Sequence, residues 1–175
     1  MQFIEIIVVS ILAAAAYGIV HDQITARICV EYFTIGHPPV FNTDSPTLLG
    51  LGWGILATWW VGLILGIPLA ISAQWGQRPK MTARTLLRPI GVLLLCMGCM
   101  AFASGLTGHF LAKAGALRLS GPLGAAVPAD RHVAFLTDLC AHLASYASGL
   151  IGGIVLMVWV WRKRAVANNQ SSASP

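Results

Sequence analysis

At 175 residues, with 57% hydrophobic side chains, 10% charged ones and a mean hydropathy of +0.75, the chain is too apolar for a soluble domain, where about a quarter of residues are charged. The net charge of +5 comes from eleven Lys and Arg residues grouped at the ends of apolar runs, which marks membrane topology and argues against a nucleic-acid partner. A crossing takes about 20 residues, so one bundle of about four spans fits and a second domain does not.

The first apolar run, Phe3 to Val20, is broken only by Glu5 and Ser10 and gives an expected span over 3–21. A cleaved signal peptide is the alternative, but no Lys or Arg precedes the run. The segment from His21 to Pro46 is polar and aromatic rather than rich in Gly and Ser. Ile24, Ile28, Tyr32 and Ile35 recur there at helical spacing, which predicts a short interfacial helix capped by Asp22 and ended by Gly36 and the double proline. A second span is expected over 48–73, with Gly50 and Gly54 in a small-xxx-small pair that favours close helix packing, and with Pro68 near its far end. The glycines do not form a nucleotide loop, since no Lys-Ser or Lys-Thr follows them.

Gln74 to Arg88 carries Arg78, Lys80, Arg84 and Arg88 with no acid, the pattern of a cytoplasmic loop. The third span is expected over 89–111, opened by Pro89. A turn-rich outer loop follows, with Gly121-Pro122 and Pro128. The fourth span, 133–161, is anchored by Arg162-Lys163-Arg164, and 165–175 reads as a disordered cytoplasmic tail. Residues 1–164 therefore form a single expected domain. The fold class is an all-α integral membrane protein, a four-transmembrane-helix bundle with a short interfacial helix in the first outer loop. Seven positive residues fall on the second loop and tail against four on the other two loops, so both termini are expected in the cytoplasm.

With that topology all five histidines, His21, His37, His109, His132 and His142, fall at the outer ends of spans or in outer loops, together with Asp22, Glu31, Asp130 and Asp138. Asp138 and His142 lie one helical turn apart, and Ser145, Gly149 and Gly153 continue their stripe as small residues facing a neighbour. An ionisable residue inside a span costs about 2.5–3.5 kcal/mol at the helix centre, so the pair asks for a reason. Imidazole and carboxylate together suit a divalent transition metal such as zinc, iron or manganese, and bundle-core metal sites are built from facing helices. The candidate ligands are His21, His109, His142, Asp138, Glu31, His37, Asp22 and His132. Against this stands the plain structural reading, in which the loop histidines are interfacial and Asp138 with His142 is a hydrogen bond that packs the bundle.

Other chemistries are weaker. Ser145, His142 and Asp138 share one helical stripe, which lacks the approach geometry of a triad. No C-x-x-C-H attachment is present, so only non-covalent haem between His109 and His142 could apply. Cys96 and Cys99 sit with Met97 and Met100 inside an apolar span, where they are ordinary packing residues.

The strings Tyr17-Gly18-Ile19-Val20-His21-Asp22-Gln23 and Glu31-Tyr32-Phe33-Thr34-Ile35-Gly36-His37-Pro38 resemble a group of uncharacterised small bacterial integral membrane proteins. The resemblance implies a bacterial inner-membrane bundle and no activity. Two functional expectations follow: a membrane protein with a metal in its outer His and carboxylate layer, or a non-enzymatic subunit that docks other membrane subunits, or a second copy of itself, through its first outer loop.

Overall fold

In the computed structural model, which describes residues 1–172 and side chains through Ala167, the chain is all helical, with no strand among the described residues. Four helical stretches are long and apolar enough to cross a membrane. The first is α1, Gln2–Ile28. The second is split into α3, Pro46–Leu56, and α4, Trp59–Gln74, while α5, Ala83–Lys113, and α7, His132–Ser172, are continuous. Two short helices lie in the connections: α2, Val30–Thr34, and α6, Gly121–Ala126.

Two antiparallel hairpins make the bundle, α1 with α3 and α4, and α5 with α7. They join where α4 meets α7 and where α1 meets α5. Register follows from glycines. Cβ atoms added at Gly50, Gly54, Gly62 and Gly66 would meet Asp22, Ile19, Ser10 and Ser10 with Ile7 in turn, so residue numbers rise along one helix as they fall along the other. At Gly54 the neighbouring atoms are the Ile19 backbone, which cannot swing aside, and this makes the pair of small residues a true backbone approach. Gly149 instead faces the flexible Met97 thioether, so that ridge on α7 is a looser contact.

Several boundaries differ from the expected ones. Asp22 does not cap a loop helix: the stretch from His21 to Ile28 holds no Gly or Pro, so α1 runs on through it, and the Asp22 side chain is buried inside the bundle. The break comes at Cys29, in an extended conformation with φ −147°, after which α2 forms a single turn and a half. Ile24 and Ile28 are consequently exposed, whereas Tyr32 is buried. Pro89 does not open α5. Thr82 does, accepting from the Thr85 amide at 3.3 Å, and the Gln2 side chain caps the same turn by accepting from the Ala83 amide at 2.9 Å. The second span is interrupted at Ala57 and Thr58, where the Thr58 hydroxyl donates back to the Gly54 carbonyl. Within the expected tail, α7 continues through Ser172, and 173–175 lie outside the described residues.

Each end of the bundle has its own apolar core. At the end holding both the start of α1 and the far part of α7, Ile6, Leu69, Ala73, Leu86 and Val160 pack together. At the other, Ala26, Cys29, Phe33, Leu49, Trp53 and Phe135 do so. Between the second core and the middle of the bundle lies a layer of polar groups.

Candidate functional site

The polar layer is built where α1 and α7 approach each other. One turn of α1 supplies His21 and Asp22, with Tyr17 a turn earlier on the same face, and α7 supplies Asp138, His142 and Ser145. His21, Asp22 and His142 offer ligand atoms that all lie within 4.8 Å of one another. The two imidazoles meet edge to face, with ring centroids 4.5 Å apart.

The protonation of His142 can be read from its partners. Nδ1 lies 2.8 Å from the backbone carbonyl of Asp138, which can only accept, so Nδ1 carries a hydrogen and donates it. In the neutral ring Nε2 is then a lone pair, and it points at Oδ1 of Asp22 at 3.2 Å. Either a proton is shared between Nε2 and that carboxylate, or a cation sits between them. The Nδ1–H bond to a carbonyl is also the support that orients a metal-bound imidazole.

The expected side-chain pairing of Asp138 with His142 is absent. His142 uses the Asp138 backbone, and its carboxylate partner comes from α1. The Asp138 carboxyl is fully buried with neither oxygen hydrogen-bonded, and His21 Nε2 is likewise buried without a partner. An unsatisfied buried polar group costs about 1–3 kcal/mol, and the buried side-chain atoms without a partner among the described residues all lie in this layer.

Above the cluster the first loop folds back as a cover. Tyr32 stacks on the His142 ring at 4.4 Å between centroids, and Phe33 approaches it edge on at 5.8 Å. Burial pushes the Tyr32 phenol above its ordinary range, so it stacks as a neutral ring. Cys29 beneath it is pushed up to about 12 by burial and stays a thiol, which donates to Glu31 at 3.3 Å. The chain matches no protein-family model, no curated protein and no solved structure. Geometry alone therefore identifies which residues belong to the site.

The other expected ligands do not join it. Glu31 is engaged by Arg131 at 3.0 Å, and Arg131 also donates to the Ile28 carbonyl at the end of α1. Burial would raise the Glu31 carboxyl, but its own amide, Arg131 and the Cys29 thiol outweigh that and hold it below its usual range. His37 Nδ1 bonds the Tyr32 carbonyl at 2.8 Å, and the ring lies against Phe33 and Trp53. His132 Nε2 bonds the Val127 carbonyl at 3.0 Å, closing the third loop onto α7. These two hold loops in place. His109 reaches Thr137 at 3.3 Å and lines a cleft beside the cluster, while His142 lines a smaller cavity of about 100 Å³. The two do not face a common space, as a haem pair would require.

Sequence reasoning missed two members. Tyr17 bonds Ser145 at 2.6 Å, which ties α1 to α7 and takes the Ser145 hydroxyl away from His142. Tyr32 was placed on a face of an interfacial helix rather than over His142. The spacing Tyr17-x-x-x-His21 carried a signal for the first, since both fall on one face of α1.

Proposed function

We propose that the chain is a multi-pass protein of a bacterial inner membrane, with both termini cytoplasmic, whose outer polar layer binds one divalent transition metal through His21, Asp22 and His142. The observation that carries this reading is the triplet itself. Its His142 Nε2 to Asp22 Oδ1 separation of 3.2 Å is close to the roughly 3.3 Å edge of a tetrahedron with bonds of about 2.0 Å. The His142 ring is already held in the ligating tautomer, and the neighbouring Asp138 leaves two carboxyl oxygens without a partner in the same layer. Protein purified in mild detergent should hold about one equivalent of a transition metal by elemental mass spectrometry, and His142→Ala or Asp22→Asn should remove it. His37→Ala and His132→Ala, which touch only loop carbonyls, should leave it in place. Less than about a tenth of an equivalent in wild-type protein sinks the metal reading.

A second reading has its own support. The direct bond from His142 to Asp22 can serve as a buried ion pair between α1 and α7, in a membrane subunit without chemistry of its own. Equal metal content in wild type and His142→Ala, with a large loss of thermal stability in the variant, selects it. Topology is read separately by impermeant maleimide on intact cells, which should label Ser120→Cys and spare Ser171→Cys. The reverse pattern overturns the sidedness. Native Cys29 is no reporter here, since it is buried and its thiol does not ionise below about pH 12.

A further inference from the structure

Beside the polar layer, α1, α5 and α7 diverge and leave a cleft of about 460 Å³, within the roughly 300–1,000 Å³ of small-molecule sites. Its rim is formed by Val20, Ile24, Phe102 and Leu106, which are 62%, 59%, 75% and 46% exposed on the outward faces of two spans, so the cleft opens toward lipid and not toward water. Its walls are otherwise almost wholly apolar. The polar groups at its inner end are mostly committed: the Thr25 hydroxyl donates to the His21 carbonyl and the Thr137 hydroxyl to that of Val133. Asp138 and His21 are not, and both line the cleft while Asp138 is entirely buried and without a partner at either oxygen.

We infer that this cleft binds a neutral lipophile whose head carries a hydroxyl group, entering sideways from the bilayer with its apolar tail along α5 and its hydroxyl donated to the Asp138 carboxyl. The charge pattern selects this class. No Lys or Arg lines the cleft, so a phosphate or carboxylate head would bring its charge into an apolar cleft with no ammonium or guanidinium side chain to offset it, whereas a hydroxyl hydrogen supplies what the carboxyl lacks. A wholly apolar occupant would leave that carboxyl as it is. Two molecular sources share the chemistry, a prenyl or long-chain alcohol and a tailed hydroquinone. This inference rests on the chain lying in a bilayer, which carbonate extraction of the same membranes reads directly, and it does not rest on the bound cation.

Gly98 gives the means of testing it. It lines the cleft, and a Cβ placed there meets nothing within 4 Å, so Gly98→Leu fills the cleft from the α5 side without displacing a neighbour. Wild-type protein in nanodiscs should bind farnesol or decyl hydroquinone saturably, about one per chain, with palmitate at least tenfold weaker at neutral pH. Binding of farnesol alone, of the hydroquinone alone or of both tells which source is recognised, and each supports the inference. Gly98→Leu should lose at least tenfold in affinity for the bound alcohol while its metal content stays at the wild-type value. Absence of saturable binding by both alcohols, tighter binding of palmitate, or unchanged affinity in Gly98→Leu overturns the proposal. A photoreactive farnesyl or hydroquinone probe on wild-type protein provides a readout that needs no variant. Adducts are expected on α5 between Gly98 and Leu106, and adducts confined to other helices refute the cleft.

Discussion

The two ends of the bundle bury charge in opposite ways. Near the far part of α7, Arg164 is 1% exposed, yet its guanidinium donates to four carbonyls: Ser72 at 2.6 Å, Pro79 at 2.8 Å, Trp75 at 2.9 Å and Arg78 at 3.0 Å. It closes the last turn of α4 and the loop beyond, where backbone carbonyls have no helical partner and a cation is favoured. At the other end Asp138 is 0% exposed, and neither oxygen of its carboxyl has a hydrogen-bond partner among the described residues. Arg164 completes the protein's own hydrogen bonding; the Asp138 carboxyl leaves bonding capacity over. That surplus, and not the presence of an ionisable group as such, distinguishes the two ends.

The contrast is broken most readily at Arg164. Arg164→Met keeps the length of the side chain but strands four carbonyls, at about 1–3 kcal/mol for each that water does not reach, so a loss of more than about 3 kcal/mol is expected in thermal or detergent unfolding. Little change would mean that those carbonyls are solvated and that the end is not closed by Arg164. Asp138→Leu should move stability the other way. An unpaired carboxyl gives way to an apolar side chain of similar size, for an expected gain of about 1–3 kcal/mol together with loss of alcohol binding. If it destabilises on the scale of Arg164→Met, the carboxyl has a structural partner and the comparison fails. The smallest effect belongs to the exposed rim, where Glu31 meets Arg131. Because the folded carboxyl lies below its ordinary value of 4.5, its contribution is present in full above that value and is lost as pH falls through the folded one. Glu31→Gln should therefore cost under about 1 kcal/mol at neutral pH and flatten the stability profile below about pH 4.5. An unaltered acid limb would show that other carboxyls govern it.

The four long apolar helical stretches were legible because hydropathy over 20 residues is a long signal, and so was the close approach at Gly50 and Gly54, where small residues recur at helical spacing. The site was half legible. Asp138 and His142 stood out as polar groups in an apolar run, but their partner Asp22 is 120 residues away and looked like a helix cap, since a Ser, Thr, Asp or Asn at the end of an apolar run is read that way. What decides its role is packing between α1 and α7, which no local pattern encodes. Arg164 illustrates the same limit from the other side. Inside an Arg-Lys-Arg cluster it reads as one more solvated anchor, and only the fold of the loop after α4 singles it out from Arg162 and Lys163, both exposed.

α1 touches α3, α4, α5 and α7, the helices of the other three long apolar stretches. Its neighbours in sequence, α3 and α4, seal the glycine seam around Gly18 and Gly54, whereas the partner of the Asp22 carboxylate, His142, comes from α7. Without α7, Asp22 therefore has no imidazole partner, and the polar layer is incomplete. The glycine seam can close with the first half of the chain alone, whereas the polar layer exists only where residues 120 positions apart are brought together.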